Sequence, residues 1–412
     1  MQFEKKIVAQ QEVKNKLKEL VQQNRLSHAL LFLGKEGCGA LPLAIAFAQY
    51  ILCERVAGKS LGNTGPSLFA QEAKPTPTVL DDSCGECPTC LKVSKLVHAD
   101  LHFSYPALKR NARHDKVLST DYLTDWREFV QQFPYGNVTD WIDFLKESQN
   151  AKIETAVNKQ GNISAQECDD ITRKLSLKAF ESEYKIMIMW MPEYLGKEGN
   201  KLLKLIEEPP PNTIFIFVAE DENSILQTIL SRTQLVKIPT LTDAEIKNAL
   251  VDLHNVESEK AIQIAALAEG NYREALQLLN NPEEDLQAQV RDWLNIIIKN
   301  KVSAQLSWVE EISRTGREKQ KSFLRYFVHL LEQSIRSAFL PEEVLEKISA
   351  KDRDFSARLN RICSVEAQQS IVEELEKAIY YIERNAHAKM LFHSLTIRFF
   401  HIIKDNSLIL VN

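Results

Sequence analysis

The sequence predicts a doubly wound α/β domain followed by an all-helical remainder. Three observations carry this. Ala29-Leu30-Leu31-Phe32-Leu33 is a short apolar run that ends in glycine-rich sequence and leads into a helical pattern, the order of a buried parallel strand, a turn and a helix. Two further apolar runs, Tyr184–Trp190 and Thr213–Val218, have the length and composition of buried strands. From about residue 242 the chain carries helical periodicity with few glycines.

Taken in order, residues 6–25 have helical spacing, with Ile7, Val8, Val13, Leu17, Leu20 and Val21 on one side. The strand Ala29–Leu33 is followed by a helix over 42–53 with Pro42 in its first turn. Residues 58–83, rich in Gly, Pro, Ser and Thr, read as a loop. Residues 106–163 are polar, aromatic-bearing and irregular, and read as an insertion that decorates the first domain. A helix over 196–207 stops at Glu207-Glu208-Pro209-Pro210-Pro211, since proline cannot continue it. Ser231-Arg232 follows a short helix, and Leu235–Ile238 makes a final strand. A small helical unit at 242–281 turns at Gly270-Asn271, and 284–403 is helical throughout.

Composition bounds the function. The 412 residues are 44% hydrophobic and 26% charged, enough for two or three domains with real cores. A net charge of −5 and a pI near 6.1 argue against a surface that attracts nucleic acid everywhere, and leave a local basic face open. No apolar run reaches the roughly 18–20 residues that span a bilayer, and the polar start Met-Gln-Phe-Glu-Lys-Lys has no apolar signal core. A cytosolic protein without membrane association is expected. Of seven Cys, three fall between Cys84 and Cys90, and in a reducing compartment such clustering points to metal.

The glycine-rich turn is Gly34-Lys35-Glu36-Gly37-Cys38-Gly39-Ala40-Leu41. A working phosphate loop reads Gly, four residues, then Gly-Lys-Ser/Thr. Its backbone N–H groups cradle phosphates, its Lys neutralises them and its hydroxyl holds Mg²⁺. Gly34 and Gly39 keep that spacing around Gly37, but Ala40 and Leu41 stand where the Lys and hydroxyl belong. These residues alone leave two readings: a tight turn with no ligand, or a relic nucleotide site. The strand that would supply acidic residues for Mg²⁺ and water ends Met189-Trp190-Met191-Pro192-Glu193, with Trp190 and Met191 in the acidic positions. Two independent losses predict a chain that neither binds nor hydrolyses ATP.

At this point the sequence resembles the clamp-loader family of bacterial DNA polymerase III, most closely its non-hydrolysing delta-prime branch. The residues that carry the resemblance are Leu26–Gly34, Cys84-Gly85-Glu86-Cys87-Pro88-Thr89-Cys90, His98-Ala99-Asp100-Leu101-His102, Asn200–Pro210, Thr228-Ile229-Leu230-Ser231-Arg232-Thr233 and Gly270–Leu276, in the family's order. Thr233 departs from the family's usual Cys, and Ala219-Glu220 from its sensor Thr. The resemblance implies a RecA-like AAA+ P-loop module at 1–240 containing a zinc module (53–90) and the 106–163 insertion. A helical lid at 241–282 and an all-α collar at 283–412 would follow.

The resemblance also assigns roles. Arg232, beside Ser231, is the in-trans arginine finger for the ATP of a neighbouring subunit. Outside that context it reads as a surface Arg between a helix and a strand. Cys84, Cys87 and Cys90 would bind structural zinc, with Cys53 as the fourth ligand although 30 residues separate it from Cys84. His98 and His102 read as non-ligands, and Cys38, Cys168 and Cys363 as small buried apolar residues. Arg273 reads as a helix-surface Arg more readily than as a nucleotide sensor, and Glu207-Glu208 as a structural helix end. Implied partners are the gamma/tau motor subunits, the delta subunit, the sliding clamp indirectly, and primed DNA through the assembly. The competing classes are an active AAA+ ATPase and a zinc-containing nucleic-acid-binding protein.

Overall fold

The structure, a computed structural model, describes residues 2–58, 82–109, 116–148, 161–280, 286–339, 350–384 and 386–405. The expected loop at 58–83 lies, from 59 to 81, outside the described residues, as do 110–115 and 149–160 of the expected insertion. The chain divides into two compact units, Met1–Leu279 and Asn280–Asn412.

In the first unit a five-stranded sheet has the order β2–β3–β4–β1–β5. Its strands are β1 (Ala29–Leu33), β2 (Leu101–Ser104), β3 (Lys185–Trp190), β4 (Thr213–Ala219) and β5 (Gln234–Lys237). All four pairings are parallel, and β1 lies between β4 and β5 with Leu31 opposite both Phe217 and Leu235. Parallel strands covered on both faces must be apolar on both, and successive side chains divide accordingly. Leu30, Phe32, Ile186, Ile188 and Ile216 pack with the helix Ala40–Leu52. Leu31, Met187, Met189, Phe215 and Phe217 pack against Ile171, Leu175 and Ile206. The fold is thus the RecA-like α/β module that the sequence predicts.

Several boundaries differ from the expectation. The edge strand β2 is not foreseen, because its Leu-His-Phe-Ser is too short and polar to stand out. The helix after the glycine turn begins at Ala40 and is buried on every side. The N-terminal helix is Gln11–Gln22, cut off from Phe3–Lys6 by Ala9 and Gln10 at positive φ. The helix expected at 196–207 is a 3₁₀ run, Pro192–Leu202, broken at Gly196, then a short α-helix, Leu203–Glu207.

The insertion is more than decoration. Its helices Leu123–Gln132 and Val138–Ser148 bury Trp126, Phe129 and Trp141 completely. Tyr105 stacks on Trp126 at 4.0 Å, Trp141 meets Trp126 edge-on at 5.4 Å, and Trp190 of β3 lies 5.3 Å from Trp126. Offset and edge-on rings add to the burial of these large side chains. The Trp141 indole N–H donates to the Pro106 carbonyl at 2.7 Å. The insertion is therefore part of the main core.

Three helices, Asp243–His254, Ser258–Ala268 and Tyr272–Asn280, close this unit. Thr242 and Glu245 form a reciprocal cap at the first. The core they share includes Val8 and Tyr135. In the second unit the described helices are Leu286–Lys299, Val302–Arg314, Arg317–Phe339, Ala350–Ile362, Val365–Glu383 and Ala388–Asp405. They pack around Trp293, which stacks on Trp308 at 4.6 Å and donates to Thr396 Oγ1 at 3.1 Å. Among the described residues no helix is long and apolar enough to cross a membrane.

Because Trp126 joins the insertion to β3, Trp126→Ala is expected to lower stability by about 3–5 kcal/mol, read from the urea midpoint. A loss below about 1 kcal/mol would show that the aromatic cluster is peripheral to the core.

Candidate functional site

The glycine turn sits at the C-terminal end of β1, the end of a parallel sheet where ligands bind. Gly37 (φ +74°) and Gly39 (φ +88°) adopt the left-handed conformation, which side chains disfavour. The space they leave is used by the chain itself. A Cβ on Gly37 would lie 1.8 Å from Asn271 Oδ1, and one on Gly39 would lie 2.8 Å from Tyr135 Cε1. The Tyr135 hydroxyl in turn accepts the Val8 N–H at 2.9 Å, which ties it to the N-terminal segment. What remains is a cavity of about 30 Å³ lined by the loop, Tyr135, Trp190, Met191, Ala219 and Glu220. That volume suits a few waters.

Ala40 and Leu41 begin the helix and are buried among apolar neighbours. Cys38 is buried too, and burial pushes its thiol up to about 12. Trp190 and Met191 also join the core. Beside them Glu193 accepts the Glu220 and Asp221 N–H groups at 2.6 and 3.0 Å, and burial holds its carboxyl above the ordinary value. The side chains that line the cavity are mostly alkyl and aromatic, with one acid, Glu220, and one cation, Lys35, which is one residue after Gly34 and not at the position of Ala40. They offer a polyphosphate no cation from the position of Ala40.

Arg273 is where the sequence reading fails. It is buried, with its side chain only 3% exposed, and meets two carboxylates. Its Nε and Nη2 donate to Asp140 at 2.5 and 2.6 Å, and its Nη1 donates to Glu36 of the glycine turn at 2.9 Å. Glu36, Asp140, Asn271 and Tyr135 are all absent from the sequence-based site. Each lies far along the chain from its partner, so no local pattern marks it.

Ser231 caps the short helix Gln227–Leu230, and Arg232 follows it ahead of β5. The guanidinium, 34% exposed, is held by Glu207 Oε1 at 2.5 Å. It also donates to the Thr228 carbonyl at 2.9 Å and to Ser231 Oγ at 3.2 Å. Glu207, expected to be a helix end only, is therefore the counter-ion of Arg232.

Cys53, Cys84, Cys87 and Cys90 place their four sulfurs within 4.8 Å of one another. Among the described residues they form the group close enough to share a metal ion. Cys84 and Cys90 sulfurs are 3.9 Å apart, against about 3.8 Å for the edge of a tetrahedron with Zn–S bonds of about 2.3 Å. The Cys84, Cys87 and Cys90 N–H groups donate to Cys53, Cys84 and Cys87 sulfurs, each at 3.4 Å. The Cys90 thiol hydrogen-bonds Cys53, which holds Cys53 down at about 5 and drives Cys90 up. Four soft donors with this geometry fit zinc. His98 lies outside the group: its Nδ1 accepts the Asp100 N–H at 3.1 Å and its Nε2 faces Ser182 Oγ at 3.1 Å. Cys168 and Cys363 are single and buried, as expected. The loop before Cys84 anchors the chain start, since Asp82 accepts the Phe3 and Glu4 N–H groups and Gln2 donates to the Ser83 carbonyl.

Comparison with known proteins agrees with this architecture. Over 418 aligned residues the chain is 22% identical to DNA polymerase III subunit tau of Bacillus subtilis, covering 95% of this chain and 60% of that one. It is 24% identical to DNA polymerase III subunit delta' of the same organism over 264 residues, 64% of this chain and 57% of that one. A 93-residue stretch is 37% identical to DNA polymerase III subunit gamma/tau of Mycobacterium tuberculosis, covering 20% of this chain and 16% of that one. The chain thus spans about 60% of the length of the first two relatives. The family described as "DNA polymerase III, delta subunit" matches residues 9–68 and 66–242, more than half of the sequence. The chain belongs to this family of DNA polymerase III clamp-loader proteins.

Proposed function

We propose that the chain is a delta-prime-type subunit of a bacterial DNA polymerase III clamp loader, which binds no ATP itself and lends Arg232 to the ATP of a neighbouring motor subunit. The observation that carries this reading is the glycine turn filled by its own chain, with Ala40, Leu41 and Trp190 in place of the charged groups. An ATP site between subunits needs a cation from the neighbour, because charge builds on the γ-phosphate as the bond breaks. Arg232 is exposed enough to reach a partner, while Glu207, Thr228 and Ser231 hold its fork in one orientation. Its planar guanidinium suits phosphate oxygens in a way a lysine would not.

The other parts follow from this role. Residues 1–240 serve as a RecA-like module, 241–282 as its lid and 283–412 as the collar that joins the ring. Partners are the gamma/tau motor subunits and the delta subunit, with the sliding clamp and primed DNA engaged through the assembly in the cytoplasm. Cys53, Cys84, Cys87 and Cys90 hold a structural zinc. The ion supplies only a cross-link, closing a long loop whose entropy cost is modest and fastening residues 2–4 through Asp82 and Ser83.

A second reading has one observation in its favour: the alignment to tau covers almost the whole chain. It would make this chain an ATP-hydrolysing motor subunit. The residues around the cavity support the first reading instead. A nucleic-acid-binding zinc protein is supported by neither the net charge of −5 nor the relatives.

Three measurements test these roles. In the reconstituted loader, Arg232→Ala is expected to slow hydrolysis at the adjoining site by on the order of 10³-fold with assembly intact; unchanged DNA- and clamp-stimulated turnover would rule the finger out. Equilibrium dialysis of the isolated chain is expected to find no ATP binding at millimolar nucleotide, and saturable binding would favour the motor reading. Elemental analysis is expected to give one zinc per chain. Its chelation should then speed hydrogen exchange in residues 2–18, and protein purified without chelators but free of zinc would remove the metal assignment.

A further inference from the structure

Glu36 is an acid inside the glycine turn, at a place where a phosphate-binding loop gains nothing from negative charge. Its carboxylate is well partnered. Oε1 accepts from Arg273 at 2.9 Å and from Asn271 Nδ2 at 3.2 Å, and Oε2 accepts from Asn137 Nδ2 at 3.1 Å. Two of these donors come from the segment that closes the first unit, and the third from the turn before the helix Val138–Ser148. The same segment touches the loop through its backbone, since Tyr272 N–H donates to the Gly37 carbonyl at 3.3 Å. Asn271 sits where a Cβ on Gly37 would be. Arg273 completes its fork on Asp140, two parallel bonds of the strong, charge-assisted kind.

We propose that the Glu36 carboxylate takes the part of a bound phosphate: it is an anion built into the loop, and Arg273 closes the lid helices onto it without any ligand. An arginine that reaches from a lid to a bound anion holds the lid shut only while the anion is present, so the closed population follows ligand concentration. An anion on the loop itself cannot diffuse away. The closed arrangement of residues 241–279 is then the resting state and is blind to nucleotide. Electrostatics act in the same direction. One guanidinium faces two carboxylates, while Lys35 and Glu220 offset each other in the lining of the neighbouring cavity, so the closed contact carries a net negative charge that an added polyphosphate would raise. This inference rests on the reading that the chain binds no ATP, and goes beyond it by naming what replaces the nucleotide.

The test is hydrogen exchange on the full chain, comparing wild type with Glu36→Gln, which keeps the side-chain shape and removes the charge. Exchange in the helix Tyr272–Asn280 is expected to rise by roughly ten- to a hundredfold, the loss of a hydrogen bond to a charged group. Strands β3 and β4 should stay unchanged and report that the first unit of the variant is folded. Millimolar pyrophosphate should slow the lid of Glu36→Gln and leave the wild-type lid untouched, and Glu36→Asp should recover part of the protection. Unchanged exchange in Glu36→Gln overturns the proposal, as does a rise that pyrophosphate does not reverse. Should Glu36→Gln fail to fold, the wild-type arm decides, because slowing of its lid by pyrophosphate overturns the proposal as well. ATP binding by the wild type would instead sink the reading on which this rests, so the two failures are distinguishable.

Discussion

The first unit is organised around a guanidinium taken out of water. Arg273 is almost fully buried between Glu36 and Asp140, and a charge in such a place is stable only if its partners satisfy it. Three elements meet in this contact. Glu36 belongs to the turn after β1, Asp140 to a helix of the insertion, and Arg273 itself to the last helix of the unit. Removing Arg273 would leave two carboxylates without the cation they share, which is why such groups break at high cost even where they add little net stability. The three elements are therefore obliged to move together or not at all. The buried pair acts on arrangement more than on total stability.

The aromatic core accounts for the indole and thioether at the end of β3. Trp190 points into the cluster of Trp126, Phe129 and Trp141, and Met191 shares that core. An acid in either place would be buried among rings with no counter-ion, and its desolvation would cost several kcal/mol. The insertion and the substitutions on β3 therefore fit one another.

The remaining features sit at the periphery and are held by short-range geometry. The four cysteines draw the end of the helix Ala40–Leu52 and the segment from Asp82 together across a long intervening stretch. Arg232 differs from Arg273 in its setting. Its one carboxylate partner, Glu207, is itself half exposed, and such a pair contributes little to stability. A guanidinium held this loosely is oriented and yet free to exchange its partner for another anion, whereas the Arg273 guanidinium is not. The same residue type thus stands in two settings, and burial separates them.

Much of the fold was legible from local pattern. The apolar runs at Ala29–Leu33, Tyr184–Trp190 and Thr213–Val218 locate three of the five strands, since strands buried on both faces cannot be polar, and the final run Leu235–Ile238 locates a fourth, each to within one residue. The cysteine spacing foretold three of the four clustered sulfurs, the family resemblance supplied Cys53, and the order of motifs foretold the family. The edge strand Leu101–Ser104 was hidden because an edge needs only one apolar face and four residues offer little period. The interactions that define the site were beyond the sequence for a different reason. Arg273 meets Glu36 across 237 residues of chain, and Arg232 meets Glu207 across 25. Periodicity reports which face of an element is apolar, but not which charged side chain from another element will be brought against it. That Ala40 and Leu41 follow the last glycine of the turn could be read from the sequence; what packs into that turn was decided only when the sheet, the insertion and the last helix of the first unit came together.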